Sequence, residues 1–350
     1  MSRYLCVVLC LLCLASIAAG QGSRTNSAKA YLERGNGWLK QGEVERAIGD
    51  YNLAIATDPN LAIAFHSRAQ ARQRKGDADG AMGDYNRAIE LSPADARIYI
   101  DRGILLAESG SLRAALADFD RVIAANPRLS IAWGNRGLTH EHLGEESAAL
   151  ADYDEAIRLD QHNAQALGSR CGLHYSRGEL EAALADCNRS LKLNPRQASA
   201  LNNRGNILTG QGQLDAALAD FNQALTLEPR EGISYGNRGR VWFLKGDYDR
   251  ALADLNRGIE LNASNARAWE TRANIWMMKQ EAARSITDFD QAIKLDPRFA
   301  EAYHNRGVAY LILNKLPEAE ADFARCRALG APLSADVERF WREVKARHQR

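Results

Sequence analysis

The sequence predicts an all-α array of helical hairpins, and three observations carry that prediction. A segment close to Gly-Asn-Arg-Gly recurs at Gly134–Gly137, Asn202–Gly205 and Gly236–Gly239, at multiples of 34 residues. Small and large residues alternate at helical spacing inside that period. Glycine and proline punctuate it at fixed places. A frame opened at Ala28 gives nine repeats without insertion or deletion: 28–61, 62–95, 96–129, 130–163, 164–197, 198–231, 232–265, 266–299 and 300–333.

Each element follows from its place in the frame. The first helix carries a small residue at the eighth place (Gly35, Ala69, Gly103, Gly137, Cys171, Gly205, Gly239, Ala273, Gly307), which lets a second helix approach closely. The fifteenth place is glycine from Gly42 to Gly246, then Gln280 and Asn314, and suits a left-handed residue closing that helix. An acid often follows and can start the second helix. The second helix repeats the pattern with Ala47 or its equivalents at the twentieth place and mostly aromatics at the twenty-fourth, such as Tyr51, Phe119 and Phe289. Pro59, Pro93, Pro127, Pro195, Pro229 and Pro297 then stop it. Beyond the last repeat, Ser334 can cap a helix bearing Val337, Phe340, Trp341 and Val344 on one stripe. A solenoid must cover its last apolar face, so residues 334–350 read as a capping helix and tail.

The period, the small-aromatic alternation and the terminal proline closely resemble the tetratricopeptide repeat over residues 28–333. The resemblance implies a right-handed superhelical α-solenoid whose first helices line a concave groove, and a role in binding proteins. It has limits. Family members that clamp a peptide's terminal carboxylates use Lys at the fifth place with Asn at the ninth, and no repeat here has Lys there.

Composition narrows the function. Basic and acidic residues nearly balance, 45 against 44, so no sustained positive field favours nucleic acid. Residues 1–20 differ from the rest: Arg3 is their only charge, an apolar run covers Leu5 to Leu14, and Ala18-Ala19-Gly20 offers a cleavage site before Gln21. That layout predicts a signal peptide, then a polar leader over 21–27. The apolar run is short for a membrane span of about 20 residues. The expected location is extracytoplasmic, periplasmic or secreted, with a membrane contact only if the segment is retained.

Cleavage would leave Cys171, Cys187 and Cys326 in a compartment where disulfides persist. Cys171 and Cys187 replace the small eighth and aromatic twenty-fourth residues of repeat 5, and three readings stand open. They are unlinked core thiols, a disulfide, or thiolate ligands of a metal shared with His140 and His174. No nucleotide-binding, nucleophile or zinc-protease motif stands outside the frame, and neither a cofactor nor a resident metal is expected.

Arg occupies the seventh place and Asp the twenty-third in all nine repeats, as in Arg204 with Asp220 and Arg238 with Asp254. Each lies eight residues from the turn, on opposite sides. Folding the hairpin brings them level, so they are expected to pair and to serve architecture. The family carries apolar residues in both places.

Partner specificity is expected where repeats differ on the first-helix face. Asn135, Asn203 and Asn237, beside small residues at Gly134 and Gly236, leave room for an extended peptide whose backbone the amides could bond. Phe243 and Leu244, Met277 and Met278, and Leu311 and Ile312 form an apolar run in repeats 7 to 9, and two readings stand open, packing between successive first helices or a partner site. The resulting expectation is an exported interaction scaffold with a peptide or helix groove. The alternative is an envelope assembly factor tethered by its uncleaved N-terminal segment.

Overall fold

The structure is a computed structural model that describes residues 26–348. The expected signal peptide and most of the leader lie outside the described residues. Residues 26 and 27, assigned to the leader, already belong to the first helix.

The described residues are helical, without a strand. Contacts divide the chain into two compact units, 1–163 and 164–350, and the division falls between repeats 4 and 5. The first unit contains α1 (26–40), α2 (Val44–Thr57), α3 (Ala62–Lys75), α4 (Ala78–Leu91), α5 (Ala96–Glu108), α6 (Leu112–Ala125), α7 (Ser130–His142) and α8 (Glu146–Leu159). The second contains α9 (Ala164–Ser176), α10 (Leu180–Leu193), α11 (Ala198–Gly210), α12 (Leu214–Leu227), α13 (Gly232–Leu244) and α14 (Tyr248–Leu261). It continues through α15 (Ala266–Met278), α16 (Ala282–Leu295), α17 (Ala300–Ile312), α18 (Leu316–Ala328) and α19 (Ala335–His348). Odd-numbered helices up to α17 open the repeats and even-numbered ones close them. First helices also touch one another within a unit, α3 with α5 and α5 with α7, and α9 through α17 in series.

The hairpins close because one helix lacks side-chain bulk where the other has most. A Cβ on Gly35 would lie 2.6 Å from Tyr51 Cε1, and one on Gly307 would lie 2.5 Å from Phe323 Cε1, so only glycine allows that approach. The aromatics it admits, among them Tyr51, Tyr153, Phe221 and Phe323, are fully buried. Each such side chain removed from water stabilises the repeat by about 1.5 to 3 kcal/mol. The turn residue adopts the left-handed conformation, with φ 81° at Gly42, and Gln280 and Asn314 adopt it too, at 63° and 60°. Acid capping is rarer than the sequence suggests. Asp77 and Asp247 accept from the backbone N–H of Gly80 and Arg250, whereas Glu43, Glu145 and Glu179 cap nothing.

The last hairpin is covered by α19. Ser334 Oγ accepts from Val337 N–H at its start, and Val337, Phe340, Trp341 and Val344 pack on Phe323 and Cys326. Glu320 and Arg327, polar where earlier repeats are aliphatic, turn to this helix. Glu320 accepts from Lys345 Nζ at 2.9 Å, and Arg327 lies over the Trp341 ring.

Candidate functional site

The charged ladder is satisfied from within. In every repeat the arginine Nε and Nη2 donate to the two carboxylate oxygens of the aspartate 16 residues later: Arg34 to Asp50, Arg68 to Asp84, Arg102 to Asp118, Arg136 to Asp152, Arg170 to Asp186, Arg204 to Asp220, Arg238 to Asp254, Arg272 to Asp288 and Arg306 to Asp322. Both bonds of Arg204 and both of Arg238 measure 2.7 Å. The hydrogen bond to its aspartate raises each of these two guanidinium pKa values further, and that from Arg34 holds the Asp50 carboxyl below its ordinary range.

A third acceptor escaped the sequence reading. The remaining nitrogen, Nη1, reaches back to the twenty-fifth place of the preceding repeat: Arg204 to Asn188 at 2.9 Å, Arg238 to Asn222 at 2.7 Å, and Arg136 to Asp120 at 2.7 Å. Arg68, Arg102, Arg136, Arg204, Arg238, Arg272 and Arg306 each tie two repeats together in this way. The signal was present, because the twenty-fifth place is Asn or Asp in repeats 1 to 8. The side chain also lies over the aromatic of its own helix, as Arg136 over Trp133 and Arg272 over Trp269.

In repeat 5 the structure joins Cys171 and Cys187 in a disulfide, with Cα atoms 5.3 Å apart and both residues wholly buried. The bridge fills the space that glycine or alanine and an aromatic or leucine fill elsewhere. The histidines weighed as metal ligands are engaged otherwise. His140 Nδ1 meets Glu145 Oε2 at 2.6 Å, and His174 Nδ1 meets Glu179 at the same place of the next repeat. These contacts hold both glutamates below their ordinary range. Among the described residues no cluster of His, Cys, Asp and Glu could hold a metal ion. Cys326 is free and buried.

The first-helix face is more divided than the sequence suggests. Asn237 Nδ2 donates to Asn202 Oδ1 at 3.1 Å, and Asn203 is half-buried beside Gly172. Asn135 is buried, and its Nδ2 has no hydrogen-bond partner among the described residues. The apolar run splits by place. Leu244, Met278 and Ile312 are exposed by 48%, 60% and 53%, one per repeat, whereas Phe243 stacks on Tyr248 and Met277 packs on the repeat 8 core. Leu311 must be removed from the surface set. It is 2% exposed, in the cluster that α19 covers, because the closing helix buries what the repeat frame alone leaves open.

Three open cavities lie against first helices, two in the second unit and one in the first. One, of about 480 Å³, is lined by Ile233, Asn237, Asn265, Arg267 and Phe299. A second, of about 170 Å³, lies one repeat earlier and includes Ser199, Asn202, Glu231 and the same Ile233. They form a line along α11, α13 and α15. In the first unit a cavity of about 350 Å³ opens between α3 and α5, where Gln70, Gln73 and Arg74 face Asp101, Ile104 and Glu108. Sequence reasoning looked for specificity only from repeat 4 onward and passed over it.

A hairpin repeat joined by internal ion pairs, with open cavities on one helix face, defines a helical-repeat protein. Models of the tetratricopeptide repeat match residues 66–127, 100–164, 172–235 and 238–288, and a further TPR repeat model matches 273–313. The chain belongs to the tetratricopeptide repeat family. No curated protein matches it. Among solved structures it is similar to the APC/C hetero-tetramer Cut9-Hcn1, with TM-score 0.63 and 19% identity over 76% of this chain and 52% of that one. The chain thus spans about half the length of that relative, and the likeness is one of fold. It is also similar to a tetratricopeptide repeat protein from Parabacteroides merdae ATCC 43184, with TM-score 0.48 and 21% identity over 71% of this chain and 98% of that one. A third is YrrB, described as a TPR protein with an unusual peptide-binding site, with TM-score 0.41 and 23% identity over 53% and 95%.

Proposed function

We propose that the chain is an exported protein-protein interaction scaffold whose first-helix face holds an extended segment of a partner protein. The tetratricopeptide fold supports an interaction scaffold. The observation that carries the finer reading is the line of two cavities along α11, α13 and α15, which share Ile233 and are walled by the amides of Asn202, Asn237 and Asn265. A trough of this kind offers side-chain donors and acceptors to a peptide backbone and an apolar ridge between them. The arginines contribute little to recognition, because each already serves two or three acceptors. Binding rather than catalysis is the role, and turnover of a substrate with no protein partner present would count against it.

Export is supported by the layout of residues 1–20. N-terminal sequencing of the native protein tests it: a start near Gln21 agrees, and a retained Met1 puts the membrane-tethered assembly factor in its place. No helix among the described residues is long and apolar enough to cross a membrane. For the trough, Asn237→Leu is expected to weaken partner binding about tenfold, by leaving peptide amides unpaired. Unchanged affinity would remove repeats 6 to 8 from the binding surface.

A further inference from the structure

We propose that the cavity between α3 and α5 binds a peptide segment carrying two basic residues three positions apart. The inference rests on the reading of the first-helix face as a peptide groove and adds the chemistry of the occupant. Its basis is a pair of carboxylates held in place by bonds to one oxygen each, with the other oxygen of each unused.

Asp101, Ile104 and Glu108 stand at i, i+3 and i+7 on α5, and so share one face. The neighbouring repeat fixes both acids. Gln70 Nε2 donates to Asp101 Oδ2 at 2.7 Å, and the buried His66 Nε2 meets the same oxygen at 2.7 Å. Gln73 Nε2 donates to Glu108 Oε2 at 2.8 Å. The Tyr85 hydroxyl, in the cavity floor, donates to Gln73 Oε1 at 3.0 Å and so decides which end of that amide faces Glu108. Burial pushes the Tyr85 phenol up, which keeps it a donor. Among the described residues neither Asp101 Oδ1 nor Glu108 Oε1 has a hydrogen bond. Two oriented carboxylates with a free oxygen each make a receptor that loses little side-chain freedom on binding.

Charge and spacing select the guest. The cavity lining carries two acids, Asp101 and Glu108, against one base, Arg74, which is exposed at the rim. An acidic segment meets like charge there, while lysine or arginine gains a charge-assisted bond. Seven helical residues separate the acids by about 10.5 Å. A polyproline-II segment returns to the same side every third residue, after about 9.3 Å. A regular strand places residues three apart on opposite sides. Ile104, between the acids, offers apolar contact to what lies between the two basic residues.

The test is fluorescence anisotropy on the full chain with labelled twelve-residue peptides in a proline and alanine background. Two lysines three apart should bind at least about tenfold tighter than two glutamates at the same places, and Glu108→Gln should weaken the lysine peptide about tenfold. Because Glu108 is exposed, that variant keeps its fold, which circular dichroism checks. Gln73→Leu keeps both charges but frees Glu108, and should weaken binding by a smaller factor. Equal binding of lysine and glutamate peptides, or indifference to Glu108→Gln, overturns the proposal while leaving a peptide groove intact. Spermidine competing as well as the peptide overturns the peptide as occupant. No binding by any of these peptides also overturns the proposal, and leaves the trough along α11, α13 and α15 to its own test.

Discussion

Arg204 bonds Asp220 twice within its own repeat and Asn188 once in the preceding one, so its loss should strand two groups. Its side chain is 26% exposed and that of Asp220 7%, which places the cost of Arg204→Met at the low end for buried pairs, about 2 to 3 kcal/mol. Adding Asp220→Leu should recover much of that in urea unfolding, because two apolar side chains replace the stranded carboxylate. A near-neutral single variant would show that the pair contributes nothing. The in-repeat pair was legible because both residues lie eight places from the turn. Its third partner was not, since Asn188 is reached only once adjacent repeats are set in register. Titration follows the same contacts. Asp50, Glu145 and Glu179 have folded pKa values below their ordinary ones, so their stabilisation is present above the ordinary carboxylate pKa and lost as pH falls through the folded values. The urea midpoint should therefore drop as pH is taken below about 4. Glu270 has the opposite sign. Burial raises its carboxyl, with Asn274 as its short-range donor, so ionisation opposes folding above the ordinary value. Glu270→Gln should raise Tm at pH 7 and lose that advantage toward pH 4, and a lower Tm at both would contradict the assignment.

At the scale of an element, repeat 5 exchanges an aromatic packed on glycine for a covalent bond between α9 and α10. The bridge closes 16 residues, which stabilises the hairpin by about 3 kcal/mol on the chain-entropy argument. The chain cleaved at Gln21 should show one free thiol, that of Cys326, when denatured without reductant, and three would exclude the bridge. The sequence left thiol, disulfide and metal open because cysteine at a core place serves all three. The approach of α9 to α10 and the commitment of His174 to Glu179 separate them. The closing helix behaves differently. Removing residues 334–350 should speed amide exchange in α17 and α18 and leave α9 to α12 unchanged, since each repeat is stabilised by its neighbours. Faster exchange through the whole second unit would contradict that locality. Leu311 shows what the frame leaves out: a repeat frame describes neighbours of the same kind, and α19 is not one.

Over the whole molecule, the repeat frame conveys the fold almost completely, because glycine, proline and the small-aromatic alternation recur at every step. Function is less legible, since repeat-to-repeat variation marks both packing and recognition. The exposed Met278 and the buried Leu311 look alike in sequence. The acid-lined cavity of repeats 2 and 3 was invisible for a related reason: Gln70 and Gln73 are unremarkable until they meet Asp101 and Glu108. The account's central claim is that the face built by the first helices receives a partner segment. Hydrogen exchange with and without a saturating bound peptide tests it most directly. Slower exchange along α11, α13 and α15, with α12 and α14 unaffected, is the predicted result, and protection concentrated on those second helices would contradict it.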